Sequence, residues 1–233
     1  MIKKLDLQPH ILTIEVSKKC NLKCGHCFAR NPQDPKPALS LETAKEIALE
    51  GRQIGFTCLH ITGGEPTLWK HFLTFLQFCL ELGYEQVYFN TNGMYLQSSL
   101  CKELSTYKSQ LNISISLDGD EILHNSLRGN STFQKACLGI QTALEYELPL
   151  EVFTLARKSL LPKLPHFVKM VYENFLKIKH LVLIQLVNVE NSFQNMTDEL
   201  LSPEDFITLV KSASLLNLYG YRVLQGTWFV LSC

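Results

Sequence analysis

Short apolar runs alternate with longer stretches of helical periodicity along most of this chain. Residues 11–16, 58–62, 86–90, 111–117, 150–155 and 180–187 have the length and composition of strands. Most are continuous apolar runs rather than alternating ones, the pattern of strands covered on both faces. Between them, residues 41–55 carry apolar positions at Ala44, Ile47, Ala48 and Ile54, with Ser40 placed as an N-cap and Gly55 as a stop. Residues 69–82 and 132–146 repeat the helical theme. A further helix follows Pro162 or Pro165, and another begins at Ser202-Pro203-Glu204, where proline suits the first turn, and closes near Gly220. This alternation predicts βα units around a parallel sheet. Six such units with right-handed crossovers curve into a partial (β/α)6 barrel with outer helices, of α/β class. Residues 1–220 are expected to form it. Residues 221–233 are expected to form a tail that adds an extra strand or opens a further domain.

Composition narrows the partners. A chain of 233 residues, 46% hydrophobic, can bury one substantial core. Its 22 basic and 22 acidic residues cancel, so no net field draws it to nucleic acid or an anionic membrane. The opening Met1-Ile-Lys-Lys-Leu-Asp6 lacks the apolar stretch of a secretory signal, and no run reaches the roughly 20 apolar residues of a spanning helix. A cytoplasmic protein without membrane contact is expected. Of the eight cysteines, Cys58, Cys79, Cys101 and Cys137 fall in apolar strand or helix patterns, where a free thiol behaves as a small core hydrophobe.

Three of the other four cysteines carry the candidate chemistry. Cys20, Cys24 and Cys27 lie within eight residues, directly after the first strand. Three thiols this close cannot pair off as disulfides, but they can ligate three irons of a four-iron cluster and leave the fourth open. Zinc held by the three thiols and His26 is an alternative, and a thioredoxin-like reading of Cys24-Gly-His-Cys27 leaves Cys20 unexplained. The remaining unusual residues fall at strand ends, where parallel α/β folds build their sites. Strand two ends at Thr62-Gly-Gly-Glu-Pro66, strand three at Asn90-Thr-Asn-Gly93 and strand four at Ser114-Ile-Ser-Leu-Asp-Gly119, with Arg128-Gly129 a short helical turn later. Each has an ordinary reading: the glycine dipeptides as turns, Arg128 as a solvated helix residue. Read functionally, Gly63 and Gly64 let backbone approach a ligand, Glu65 meets a cation and Arg128 grips a carboxylate through parallel hydrogen bonds. Arg157, Lys158, Gln185, Asn188 and Gln225 match no assignable pattern.

Taken in order, Cys-x3-Cys-x2-Cys, Gly-Gly-Glu-Pro, Thr-Asn-Gly and Ser-x-Ser-Leu-Asp-Gly resemble the radical S-adenosylmethionine superfamily, over residues 11 to about 187. Ser-Lys-Lys-Cys-Asn-Leu-Lys-Cys and Gly-Gly-Glu-Pro-Thr-Leu are most similar to its branch of peptide-modifying maturases and cofactor-biosynthesis enzymes. The resemblance implies a [4Fe-4S] cluster on Cys20, Cys24 and Cys27, with S-adenosylmethionine chelating the open iron. It implies that Gly63, Gly64 and Glu65 bind the methionyl ammonium, that His26 meets the adenine through its backbone, that Ser116 contacts the bound cofactor and that Arg128 faces its carboxylate. Asn92 and Asp118 are further implied contacts. The implied activity is reductive cleavage to a 5′-deoxyadenosyl radical that takes hydrogen from a peptide or cofactor precursor, the electron coming from a donor such as flavodoxin or ferredoxin. No general acid or base is implied, so no catalytic side chain is assigned. A non-catalytic zinc or iron–sulfur scaffold is the competing expectation.

Overall fold

A computed structural model describes residues 11–27, 38–187 and 196–226. Seven parallel strands lie in sequence order: β1 (Ile11–Ser17), β2 (Cys58–Gly63), β3 (Gln86–Thr91), β4 (Leu111–Ser116), β5 (Leu150–Ala156), β6 (His180–Gln185) and β7 (Val223–Gly226). Sequential order in an all-parallel sheet requires a crossover between every pair. The helices α1 (Leu41–Gln53), α2 (Phe72–Glu81), α3 (Ser98–Ser105), α4 (Glu121–Arg128), α5 (Thr132–Glu145), α6 (Leu164–Asn174) and α7 (Pro203–Leu218) supply them. Among the described residues β1 and β7 are not paired to each other, so the barrel is open. The expected extra strand is present: β7 pairs with β6, Leu181 opposite Val223 and Ile184 opposite Gly226. Among the described residues the sheet therefore has seven strands rather than six. Residues 227–233, Cys233 among them, and Asn188 lie outside the described residues.

Local chemistry fixes the helix starts. Ser40 caps α1 through its hydroxyl, which accepts from Thr43 N–H at 3.0 Å. Asp120 caps α4 in the same way, and Ser202 with Asp205 forms a reciprocal capping box on α7. Three elements depart from the sequence expectation. The segment after Gly-Gly-Glu begins as a 3-10 turn, Pro66–Leu68, and α2 starts only at Phe72. The helix α3 is a short element that the periodicity does not assign, and the turn before Arg128 is a full helix.

The strands are not apolar on both faces. Leu59, Ile61, Val87, Phe89, Ile113, Ile115 and Val152 are buried in one core with Phe75, Leu76, Leu104 and Ile140 from the helices. The alternate positions form polar rows across the other face, where Asn90 pairs with Ser114, Ser114 with Glu151 and Glu151 with His180. Side-chain bonds tie the amino end of this face together: Lys179 Nζ donates to Asn112 Oδ1 at 3.0 Å, and Asn112 Nδ2 donates to Gln86 Oε1 at 2.8 Å. The apolar face is closed by helices, and the polar face leads up to the carboxyl ends of the strands.

Candidate functional site

The end of β1 delivers the cysteine loop onto the end of β2. Ser17 C=O accepts from Gly64 N–H at 2.7 Å, and Lys19 C=O accepts from Glu65 N–H at 2.9 Å. The two glycines make this approach possible, since a Cβ on Gly63 would stand 2.3 Å from Ser17 O and one on Gly64 would stand 2.5 Å from Lys19 O. Their missing side chains thus serve the cysteine loop directly, where the sequence reading has them admit a ligand. Within the loop, Leu22 N–H donates to Cys20 Sγ at 3.4 Å and Cys27 N–H to Cys24 C=O at 3.1 Å.

One cavity of about 200 Å³ opens at this end of the sheet. It is lined by Cys20, Cys24, His26 and Cys27 from the loop, Gly63, Gly64 and Glu65 at the end of β2, Asn92 after β3, and Ser116, Asp118 and Arg128 from the β4 side. Every site residue singled out from the sequence is there. The cavity also takes in Thr91, from the Thr-Asn-Gly motif, and Phe153, Thr154, Leu155 and Ile184, which no motif marks.

The roles of several polar groups become specific. Glu65 is 2% exposed and accepts from four donors: Thr67 N–H at 3.2 Å, Thr67 Oγ1 at 2.6 Å, Thr91 Oγ1 at 2.8 Å and Asn92 N–H at 2.8 Å. Burial pushes its carboxyl upward and these donors oppose the shift, and together they fix the carboxyl group in place at the cavity wall. Asn92 is a brace. Its Nδ2 donates to Asn21 Oδ1 at 2.9 Å and its Oδ1 accepts from Met94 N–H at 3.0 Å, joining the cysteine loop to the end of β3.

Asp118 is 1% exposed, accepts from Leu155 N–H at 2.7 Å and from Arg128 Nε, and is thus a support for the arginine. Burial alone would raise its carboxyl, but the Arg128 guanidinium leads the groups that hold it down at about 2. For Arg128, burial favours the neutral form, yet Asp118 keeps the guanidinium charged well beyond its ordinary range. Burial pushes the Cys24 thiol up to about 11, with Arg128 opposing, and also raises Cys20. His26 is drawn down to about 4 by burial and then by Arg128, and among the described residues its Nδ1 has no hydrogen-bond partner.

This donor set fits an iron–sulfur cluster. Cys20, Cys24 and Cys27 are free thiols facing one cavity, with a fixed guanidinium beside Cys24. Among the described residues no three His, Cys, Asp or Glu side chains converge as a single metal ion requires. Glu65 and Arg128 add an anionic and a cationic pole, the pair an α-amino-acid group requires.

Sequence reasoning did not find Thr67, Thr91, His124 or the Leu155 amide. Each acts on a partner already singled out, and the partners of Thr91 and Leu155 are 26 and 37 residues away. Thr67, inside Gly-Gly-Glu-Pro-Thr-Leu, and Thr91, inside Thr-Asn-Gly, lie within quoted motifs, whereas His124 and the Leu155 amide lie in none. Of the unassigned residues, Arg157 is buried and pairs with Glu199 at 3.2 Å while donating to Leu123 C=O, whereas Gln185 is exposed at the end of β6.

Comparison with known proteins bears on this arrangement. GTP 3′,8-cyclase of Synechococcus elongatus is 29% identical over 196 residues, which are 81% of this chain and 59% of that protein. The antilisterial bacteriocin subtilosin biosynthesis protein AlbA of Bacillus subtilis is 28% identical over 142 residues, 60% of this chain and 32% of that protein. The structure of Streptococcus suis SuiB bound to S-adenosylmethionine superposes with a TM-score of 0.80 at 21% identity, covering 94% of this chain and 50% of that one, and SuiB bound to its precursor peptide SuiA gives 0.79. The chain thus spans less than two thirds of the length of these proteins. The radical SAM superfamily model matches residues 14–157, from β1 through the end of β5, well over half of the chain. With the cysteine loop, the glycine-glutamate turn and the ends of β3 and β4 all inside that match, the chain belongs to the radical SAM superfamily.

Proposed function

We propose that this chain forms the catalytic barrel of a radical S-adenosylmethionine enzyme acting on a peptide or a cofactor precursor. The observation that carries the reading is the convergence of the cysteine trio, the Glu65 pole and the Arg128 pole on one cavity at the carboxyl end of the sheet. Cys20, Cys24 and Cys27 would hold a [4Fe-4S] cluster. When bound, the cluster and S-adenosylmethionine together supply one-electron cleavage of a carbon–sulfur bond and hydrogen-atom removal from the substrate, with a low-potential donor such as flavodoxin or ferredoxin supplying the electron.

The protein's own work is placement. Glu65 lies where it can take the ammonium of the methionyl group, its charge kept in place by four donors. Arg128 uses Nε on Asp118 and turns Nη1 toward Cys24, leaving Nη2 to meet the carboxylate. Ser116 and the backbone around His26 border the same space, while Phe153, Leu155 and Ile184 supply apolar wall that keeps water from the reacting groups. Asn92 and Asp118 act through the side chains they hold. The peptide half of the reading is supported by the open side between β1 and β7, which are not paired to each other among the described residues, and by the SuiB and AlbA similarities; the cofactor-precursor half is supported by the cyclase.

Anaerobic reconstitution with iron and sulfide tests the reading. The protein should turn brown, and with S-adenosylmethionine and a strong reductant it should release 5′-deoxyadenosine. Cys24→Ala should lose both properties. A Cys24→Ala protein that still releases 5′-deoxyadenosine, or a wild-type protein that takes up zinc and no sulfide, defeats it.

A further inference from the structure

The helix α4 ties the β4 side of the cavity to the cysteine loop through its last two residues. Leu127 C=O accepts from Gly25 N–H at 3.0 Å, and Arg128 Nη1 lies 3.9 Å from Cys24 Sγ, within hydrogen-bonding reach of sulfur. The guanidinium is held from behind. Its Nε donates to Asp118 Oδ2, Asp118 Oδ1 accepts from the Leu155 amide, and the Asp118 amide donates to His124 Nδ1 at 3.1 Å. The two side chains are only 13% and 1% exposed. Removing either partner from so buried a pair leaves an uncompensated charge, so the pair is a rigid unit whose remaining donors point where the fold sends them. One of those donors points at a thiol of the trio.

We propose that Arg128 donates a hydrogen bond to the Cys24 thiolate of the cluster and makes the cluster easier to reduce, a function separate from any contact with S-adenosylmethionine. The inference rests on the reading of Cys20, Cys24 and Cys27 as cluster ligands. Its physical basis is charge. One electron enters from an external low-potential reductant, no bond is made or broken, and the cluster and its thiolates become more negative. A fixed cation with an N–H aimed at a ligand sulfur stabilises that state more than the oxidised one, since hydrogen bonds to sulfur and local charge are among the determinants of cluster potential. The low-dielectric surroundings strengthen the effect relative to an exposed arginine.

The test is a reductive titration of the reconstituted protein followed by electron paramagnetic resonance, without S-adenosylmethionine. Arg128→Gln, at unchanged iron and sulfide content, is expected to move the midpoint to a lower potential. Arg128→Lys, which keeps the charge and loses the planar fork, is expected to show a smaller shift in the same direction. A midpoint equal to wild type in Arg128→Gln overturns the proposal, and it does so even if the variant binds S-adenosylmethionine poorly, because that result leaves Arg128 as a carboxylate ligand only. Should Arg128→Gln hold no cluster, Arg128→Lys decides by the same rule. A wild-type protein that assembles no four-iron cluster fails at the earlier step and removes the proposed function together with this inference.

Discussion

Glu65 shows how a single side chain is prepared for a ligand. Four protein donors converge on its carboxylate, which is 2% exposed. Such a group is held immobile, so a cationic ligand meets it without reorganisation. Glu65→Gln puts an amide N–H₂ among those donors and leaves at least one unsatisfied. It is expected to cost roughly 1–3 kcal/mol in urea denaturation and to weaken S-adenosylmethionine binding in calorimetry with the loaded protein. The residue type was legible in the sequence as a charge beside two glycines. Its donors were less so, because Thr91 and Asn92 reach it only when the ends of β2 and β3 lie side by side. Asn92 and Asp118 mark the limit of residue-level reading. A polar side chain in a motif reads as a ligand contact; both line the cavity and also act as supports, with partners 71 and 10 residues away.

Among elements, close approach is the recurring device. The cysteine loop lies on the glycine pair after β2, and α5 lies on the turn after β3, where a Cβ on Gly139 would stand 2.0 Å from Gly93 O. Neither backbone atom can yield without moving an element. Gly64→Ala is therefore expected to displace the loop and lower iron uptake on reconstitution more than it lowers the denaturation midpoint. Gly139→Ala is expected to do the reverse at first order, costing about 1–3 kcal/mol by overpacking. Iron analysis and urea denaturation of the two variants side by side check the contrast. Gly63 and Gly64 stand out in the sequence as a pair. Gly139, inside a regular helix, carries no sequence signal, since the need for it comes from a turn 46 positions earlier.

Over the whole molecule, burial of uncharged histidines makes the fold acid-sensitive. His26, His60 and His124 are each drawn down to about 4, chiefly by burial. In the unfolded chain they titrate near ~6.5. Between these values the unfolded state binds more protons, so the contribution is complete above about pH 6.5 and is lost as pH falls toward 4. His124, 1% exposed with Nδ1 accepting from the Asp118 amide, should account for up to roughly 3 kcal/mol of that loss. Urea midpoints measured from about pH 7 down to pH 4.5 are expected to fall, and His124→Asn, whose side-chain oxygen can still accept from that amide, should make the fall shallower.

At this scale the parallel α/β class, the approximate strand positions and the rim on which the motifs gather were all legible, because apolar runs and helix signals are local properties of the chain. The polarity of the inner face was not, since strand runs that look apolar throughout place Asn90, Ser114 and Glu151 in one row only after pairing sets the register. By itself, the sequence determined the alternation of strands and helices, the cysteine spacing and the superfamily those motifs mark. Only the tertiary structure decided that Asn92 and Asp118 are supports, that the glycines admit the cysteine loop, and that Arg128 reaches Cys24. Those outcomes depend on distances between residues far apart in the chain, and such distances exist only once the sheet has closed them.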